Sequence, residues 1–181
     1  LPEYIRDPGA FGLELPAISR LRVAGSHADA VIGQYPSDTY PSHASIATGV
    51  TPALHGIVAN RILGPDGDQS HWFAEASHFR SPPIWRVAKE YGLTTATVIW
   101  PVTLGADIDY LLPETGAPPP GRPWPSHLPA VSSQGLAEFV FTKMGIGLET
   151  RITPQLVDAF ATEAAGHIIA THKPSLLLVH L

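Results

Sequence analysis

One threonine stands where its side-chain hydroxyl could act as a nucleophile. Thr39 lies two residues before Pro41, at the start of a run of small and apolar residues that ends at Gly49. Proline suits the first turn of a helix and glycine commonly ends one, so the spacing predicts a helix from about Pro41 to Thr48. The Thr39 hydroxyl would then lie near unpaired backbone N–H groups at the positive end of the helix dipole. Such a position can receive an anion such as phosphate.

The chemistry open to Thr39 depends on how its hydroxyl is activated. A threonine hydroxyl is a weak nucleophile at neutral pH, and no base is adjacent to it in sequence. A divalent cation would supply the activation, because it stabilises both the alkoxide and the oxygens of a transferring phosphoryl group. The alternative is a purely structural role, in which Thr39 caps the helix that follows.

The segment around Thr39 also resembles a known family of hydrolases. It reads Thr-Tyr-Pro-Ser-His-x-Ser-Ile-x-Thr-Gly from Thr39, then Pro-x-x-His-Gly-Ile from Pro52, then Asn60. This pattern is similar to the nucleophile segment of type I phosphodiesterases/nucleotide pyrophosphatases, which belong to the alkaline phosphatase superfamily. More generic likeness at residues 83–85, 98–101 and 174–181 extends the resemblance over nearly the whole chain.

The resemblance implies a metal-dependent hydrolase of phosphodiester or pyrophosphate bonds in nucleotide-type substrates. Thr39 would attack phosphorus, contact a metal ion and form a phospho-threonine intermediate. Two divalent ions, Zn²⁺ by resemblance, would take part. Asn60 would donate a hydrogen bond to a phosphate oxygen on which charge develops, or it is an ordinary loop asparagine. A phosphonoacetate-hydrolase-like activity within the same superfamily is an alternative.

Composition narrows the classes of partner. The net charge of −5 gives no basic surface for a nucleic acid duplex or an anionic membrane. The chain has no cysteine, which excludes disulfides, thiolate metal sites and a cysteine nucleophile. No apolar run approaches the roughly 18 residues of a membrane-spanning segment. The family resemblance implies a small-molecule phosphate ester as partner, and the compartment stays open.

The two ends of the sequence suggest a partial catalytic domain. The chain begins at Leu1, and it ends at Leu181 within an apolar run. In the family that it resembles, most metal ligands lie before the first of these positions or after the second. We therefore expect residues 1–181 to be one truncated domain with the nucleophile and few metal ligands. A catalytically inactive fragment or binding module is the alternative from a different class.

The remaining patterns predict an α/β fold: a three-layer sandwich with a mostly parallel central sheet, alkaline-phosphatase-like and incomplete at both ends. Continuous β-branched or aliphatic runs are typical of buried parallel strands. The pattern predicts helices at 15–24, 41–48, 83–91 and 153–171, strands at 28–35, 94–100, 106–112 and 175–181, and a proline-rich loop at 114–129.

Two placements follow from these predicted elements. The strand at 28–35 would lead into the helix at Pro41, so Thr39 should lie at a strand-to-helix turn on the carboxyl edge of the sheet, close to Asn60. Val98 and Val179 should both be buried in central strands.

Overall fold

The computed structural model describes residues 2–69, 71–116, 124–147 and 150–181. The chain divides into two compact units, Leu1–Gly33 and Gln34–Leu181. The first unit contains helix α1 (Glu3–Arg6), a 3₁₀ turn at Pro8–Phe11 and helix α2 (Pro16–Ala24). Within this unit Arg22 Nη1 donates hydrogen bonds to the carbonyl oxygens of Ile5 and Arg6, and these bonds join its two α-helices.

The second unit is an α/β arrangement. Its helices are α3 (Thr39–Thr48), α4 (Pro52–His55), α5 (Ile84–Glu90), α6 (Trp124–Val131), α7 (Leu136–Met144) and α8 (Pro154–Thr171), with a 3₁₀ turn at Ala76–His78. Its strands are β1 (Thr95–Trp100), β2 (Tyr110–Pro113) and β3 (Leu176–Val179). They form one parallel sheet in the order β2-β1-β3.

Helices cover both faces of this sheet, which gives three layers. On one face, Ala96 and Val98 of β1 pack in a cluster with the buried residues of α6, α7 and α8, among which Phe160 is fully buried. On the other face, Leu111 of β2 packs with Trp85 of α5 and with Ala47 of α3. The predicted α/β sandwich with a parallel sheet is therefore confirmed for the described part of the chain.

The predicted strand at 28–35 is wrong, because these residues form no strand. Val31 and Ile32 are β-branched, which favours a strand locally, but both are almost fully exposed. A strand is stable only when a neighbouring strand pairs with its backbone, and no described strand pairs with this segment. Thr39 therefore follows an irregular segment and not a strand.

The predicted loop at 114–129 is wrong in its last part. Residues 117–123 lie outside the described residues, but α6 begins at Trp124 and runs past Pro129. Pro125 stands in the first turn, where a helix needs no N–H group, and Leu128 is fully buried on the next turn. Burial of this apolar face outweighs the helix-breaking tendency of the second proline.

The two valines differ in their placement. Val98 lies in the central strand β1 and is completely buried, as predicted. Val179 lies in β3, which is an edge strand of the described sheet, and it is only half-buried. The prediction of a central strand is therefore wrong for Val179. No helix in the described part of the chain is both long enough and apolar enough to cross a membrane.

Candidate active site

A cavity of about 300 Å³ lies at the carboxyl edge of the parallel sheet, and we call it the site cavity. Pro101, Glu114 and His180 line it, and each of them follows the end of one of the three strands. Thr39 and Asn60 line it as well. In open α/β sheets this edge is where ligands bind, and the volume is sufficient for a phosphate group.

Thr39 is the first residue of α3, and its side chain is exposed. The helix therefore begins two residues earlier than the proline pattern indicates. Asp38 is the N-cap residue, and its side chain makes no capping hydrogen bond. Among the described residues the Thr39 hydroxyl has no hydrogen-bond partner, so capping does not occupy it and it is open to the site cavity.

Asn60 is held against the start of the same helix. Its Oδ1 accepts a hydrogen bond from the backbone N–H of Tyr40 at 2.8 Å. A backbone N–H can only donate, so the side-chain oxygen must face Tyr40 and the Nδ2 amide must face the other way. The amide group of Asn60 is thus available as a donor beside Thr39.

The first turn of α3 has one backbone donor left for an anion. The Tyr40 N–H is bonded to Asn60, Pro41 has no N–H, and the Ser42 N–H donates to the Asp38 carbonyl at 3.1 Å. The N–H of Thr39 remains without a partner among the described residues. An anion at this helix start would therefore meet one backbone N–H, the Asn60 amide and the helix dipole.

His43 supports helix α3 from the sheet side. His43 Nδ1 lies 2.8 Å from the Thr39 carbonyl oxygen, so it donates a hydrogen bond to that oxygen. Its ring packs against the rings of Trp100 at 4.9 Å and His180 at 4.4 Å between centroids. Burial lowers the pKa of His43, so its ring is neutral at pH 7, while the bond to Thr39 acts in the opposite direction. His43 therefore fixes the backbone of Thr39 as a neutral donor.

His55 links α3 to the segment that carries Asn60. It is fully buried, its Nδ1 accepts a hydrogen bond from the Ile57 N–H at 3.1 Å, and its Nε2 lies 3.0 Å from Ser45 Oγ. Burial lowers the pKa of His55, which keeps it neutral. The next residue, Gly56, has a φ of +85° and lies against the Arg80 side chain, where a Cβ would come within 2.9 Å. A glycine is therefore required at this turn.

Glu114 is a residue of the site cavity that sequence reasoning missed. Its Oε1 accepts a hydrogen bond from the Gly116 N–H at 2.8 Å, while its Oε2 is buried and has no partner among the described residues. Gly116 has a φ of +64°, and the Trp72 ring packs so closely against it that a Cβ would come within 2.7 Å. Burial raises the pKa of Glu114 to about 7, and the bond from Gly116 acts in the opposite direction.

Replacing Glu114 with glutamine is expected to stabilise the fold at alkaline pH. The pKa of Glu114 is higher in the folded chain than its ordinary value of 4.5, so the folded state binds more protons between about pH 4.5 and 7 and loses stability as the pH rises through that window. The shift corresponds to about 3 kcal/mol at about pH 8. In Glu114→Gln the amide oxygen can still accept the hydrogen bond from the Gly116 N–H, but the side chain carries no negative charge.

Urea unfolding of the 181-residue chain with EDTA present, at about pH 4 and pH 8, measures this difference. The variant should exceed the wild type by about 3 kcal/mol only at the higher pH. Glu138→Gln, at an exposed position in the first turn of α7, is the matched control and should change neither value by more than about 1 kcal/mol. Equal stability of Glu114→Gln and wild type at both pH values would contradict the raised pKa.

A strained backbone position borders the site cavity. The pairing of β1 with β2 shifts register between Val98 and Trp100, and Ile99 between them has a φ of +52°. A β-branched residue in this region costs about 1–3 kcal/mol. Bulges of this kind redirect side chains near the end of a strand, and Ile99 contributes to the wall of the site cavity.

The described residues do not by themselves form a metal centre. The described residues contain no group of three or more histidine, aspartate or glutamate side chains that could hold a metal ion. Thr39, Glu114 and His180 bring a hydroxyl, a carboxyl and an imidazole to one cavity. A structural zinc ion takes four ligands and a catalytic one at least three protein ligands, so the described residues do not fit two zinc ions.

Comparison with known proteins identifies the family to which this chain belongs. The family model for type I phosphodiesterase / nucleotide pyrophosphatase matches residues 2–181. The chain belongs to the type I phosphodiesterase/nucleotide pyrophosphatase family. This confirms the resemblance that the Thr39–Asn60 pattern indicates, and it places the chain in a family of hydrolases.

Named members of this phosphodiesterase family include animal enzymes. Ectonucleotide pyrophosphatase/phosphodiesterase family member 1 of Homo sapiens is 34% identical over 112 residues, which are 59% of this chain and 12% of that protein. Venom phosphodiesterase 2 of Crotalus adamanteus is 36% identical over 93 residues, which are 48% of this chain and 11% of that protein. The chain thus spans about one eighth of the length of these relatives.

Among solved structures, the phosphonoacetate hydrolase from Sinorhizobium meliloti 1021, in complex with phosphonoacetate, has a TM-score of 0.66. The two chains share 19% identity over 98% of this chain and 41% of that one. This likeness shows that the phosphodiesterase-family chain has the fold of that hydrolase, and the fold alone.

Proposed function

We propose that the complete gene product hydrolyses phosphodiester or pyrophosphate bonds of small, nucleotide-type substrates, with Thr39 as the nucleophile. One observation carries the proposal. The bond from the Tyr40 N–H to Asn60 Oδ1 sets a side-chain amide beside the exposed hydroxyl of Thr39, at the start of a helix and on one cavity. A nucleophile and an oxyanion donor that line one cavity suit phosphoryl transfer.

The proposed reaction has two displacements. In the first, Thr39 Oγ1 forms a bond to phosphorus, the bond from phosphorus to the leaving-group oxygen breaks, and the hydroxyl proton passes to solvent while the leaving group departs as its anion. In the second, a water oxygen bonds to phosphorus, the bond to Thr39 Oγ1 breaks, and a proton lost by the water restores the threonine hydroxyl. In both, the Asn60 amide and the Thr39 N–H donate to the non-bridging oxygens, on which negative charge grows.

Divalent metal ions, two Zn²⁺ by the family resemblance, belong to this proposal as activators of the Thr39 hydroxyl. Thr39 is the residue of this chain that we expect to contact a metal ion. The alternative is a module that binds phosphate esters without cleaving them. The two functions differ in what can be measured: a hydrolase binds metal ions and releases product, whereas the binding module does neither.

The test is hydrolysis of bis(p-nitrophenyl) phosphate by the complete gene product, before and after EDTA and after Zn²⁺ is restored. Release of p-nitrophenolate that EDTA abolishes and Zn²⁺ recovers would support the hydrolase. Phosphonoacetate is the second substrate, and turnover of it alone would favour the phosphonate reaction. Binding of AMP without turnover of either substrate would contradict a hydrolase and support the binding module.

A further inference from the structure

A cavity of about 440 Å³ lies at the amino edge of the parallel sheet, and we call it the histidine cavity. Tyr110 lines it at the first residue of β2, and His172 lines it between the end of α8 and the start of β3. His167, near the end of α8, and Phe139 of α7 add two more rings to its wall. The length of the strands therefore separates the histidine cavity from the site cavity at their carboxyl ends.

The two histidine rings of this cavity lie next to each other. Neighbours on a helix surface are three or four residues apart, whereas His167 and His172 are five apart. Because α8 ends at Thr171, the two rings nevertheless approach, with centroids 5.8 Å apart and planes at 88°. An ion about 2.0–2.1 Å from an imidazole nitrogen lies about 3 Å from the ring centroid, so two rings that share an ion have centroids up to about 6 Å apart. The observed separation therefore permits both rings to bind one ion.

Each of the two rings is held by a stacked aromatic neighbour. Phe139 stacks on His167 with centroids 3.9 Å apart and planes at 25°, and Tyr110 stacks on His172 at 3.9 Å and 18°. His167 Nδ1 lies 3.4 Å from Thr171 Oγ1, while its Nε2 has no partner among the described residues. A histidine that binds a metal through one nitrogen commonly hydrogen-bonds through the other, which orients the ring. The stacking and this contact therefore fix the rings before an ion arrives.

His167 is in the protonation state that binds a metal ion. Burial lowers its pKa, and the positive charges of His172 and Lys143 lower it further, while the Glu163 carboxylate acts in the opposite direction. The ring is therefore neutral at pH 7 and keeps a lone pair for an ion. Lys143 Nζ is paired with the Glu163 carboxylate, so a partner of opposite charge offsets the repulsion between that ammonium group and a bound cation.

Two imidazoles without a third protein ligand define the class of ion. Asp109 also lines the histidine cavity, but its Oδ2 accepts hydrogen bonds from the N–H and the hydroxyl of Thr95, and its Oδ1 lies 3.3 Å from Lys89 Nζ. A zinc centre takes at least three protein ligands, so these residues do not form one. Cu²⁺ and Ni²⁺ accept nitrogen and oxygen ligands in tetragonal geometry, and Cu²⁺ heads the affinity order for such sites. Water would fill the other positions.

We propose that His167 and His172 together bind one Cu²⁺ or Ni²⁺ ion in the histidine cavity, with water completing its coordination. The ion would hold the end of α8 in one conformation, at the residue that leads into β3. Because the cavity lies at the amino edge of the sheet, the ion does not contact the phosphate site, and the inference does not depend on the proposed function. Its test therefore needs no substrate.

The first experiment is calorimetry of the 181-residue chain with NiCl₂, after EDTA treatment and removal of the chelator. Wild type should bind one ion. His167→Phe and His172→Phe keep a ring for the stacked neighbours but lose one ligand each, and each should lower the association constant at least about 10-fold, since even groups that only orient a ligand are worth about 10–100-fold. His27→Gln, at an exposed position of the first unit, should bind like wild type. No bound Ni²⁺, or wild-type affinity in either phenylalanine variant, would overturn the inference.

A second experiment excludes the other close histidine pair and needs no variant to show two ligands. The rings of His43 and His180 lie 4.4 Å apart at the site cavity, so His180→Phe is the matched control and should keep the wild-type affinity for Ni²⁺. Weaker binding in that variant would place the ion at the site cavity and overturn the inference. With substoichiometric Cu²⁺, electron paramagnetic resonance of wild type should show hyperfine splitting from two imidazole nitrogens. Splitting from a single nitrogen, or from none, would contradict shared binding by His167 and His172.

Discussion

Replacing Thr39 with alanine is expected to lower the rate of bis(p-nitrophenyl) phosphate hydrolysis by the complete gene product by at least about 1,000-fold. The change removes the atom that bonds to phosphorus, so a chemical step is lost and not only affinity. Because the hydroxyl makes no capping hydrogen bond among the described residues, the free energy of unfolding should change by less than about 1 kcal/mol. Release of p-nitrophenolate and urea unfolding measure the two effects.

Two other substitutions at Thr39 test the explanation. Thr39→Ser keeps a hydroxyl and should retain measurable turnover, while Thr39→Val keeps the shape of the side chain and should be as inactive as alanine. Mass spectrometry after a rapid acid quench should find a p-nitrophenylphosphoryl group on residue 39 of the wild type and not of Thr39→Val. Wild-type activity in Thr39→Ala would refute the proposed nucleophile.

Local sequence patterns were sufficient to predict helix α8 and the central strand β1. The apolar spacing of α8 and the β-branched run of β1 each specify one kind of element, and the structure has both within a residue or two of the predicted ends. Helix α7 had a readable signal as well. Leu136, Ala137, Val140 and Phe141 recur at helical spacing between two glycines, and all four are buried.

Non-local contacts decided the elements that sequence reasoning predicted wrongly. The segment at 28–35 has the composition of a strand, but no described strand pairs with it. The opposite holds for α6, where two prolines argue against a helix but Trp124 packs edge-on against the rings of Phe160 and Phe141. In both cases packing outweighed local propensity.

The sequence marks the two candidate catalytic residues but not the residues around them. Thr39 and Asn60 stand in a motif, so their residue types and spacing mark them. Glu114 stands in no motif and follows a short strand whose end the sequence does not define. Its place at the cavity depends on the parallel pairing of β1 with β2, which brings the two strand ends together. In the sequence, a single carboxylate in a proline-rich segment does not indicate that its side chain lies at a cavity.

Replacing Asn60 with aspartate is expected to reduce kcat by about 100–1,000-fold while leaving the protein folded. Aspartate can still accept the hydrogen bond from the Tyr40 N–H, and a negative charge at the start of α3 is favourable to the helix. The second carboxylate oxygen replaces the Nδ2 donor, so an acceptor with negative charge faces the phosphate oxygens. Stopped assays with bis(p-nitrophenyl) phosphate measure kcat, and urea unfolding measures stability.

Asn60→Ala separates the two contacts of this side chain. Alanine loses the bond to Tyr40 and the donor together, so it should lower both the free energy of unfolding and kcat, whereas Asn60→Asp should lower kcat alone. Both variants lose the amide donor, but the aspartate carboxylate also repels the phosphate oxygens. When the folded fractions are equal, Asn60→Asp should therefore have a lower kcat than Asn60→Ala. If Asn60→Asp were as active as wild type, the amide would not act on the phosphate, and Asn60 would only fix the start of the helix that carries Thr39.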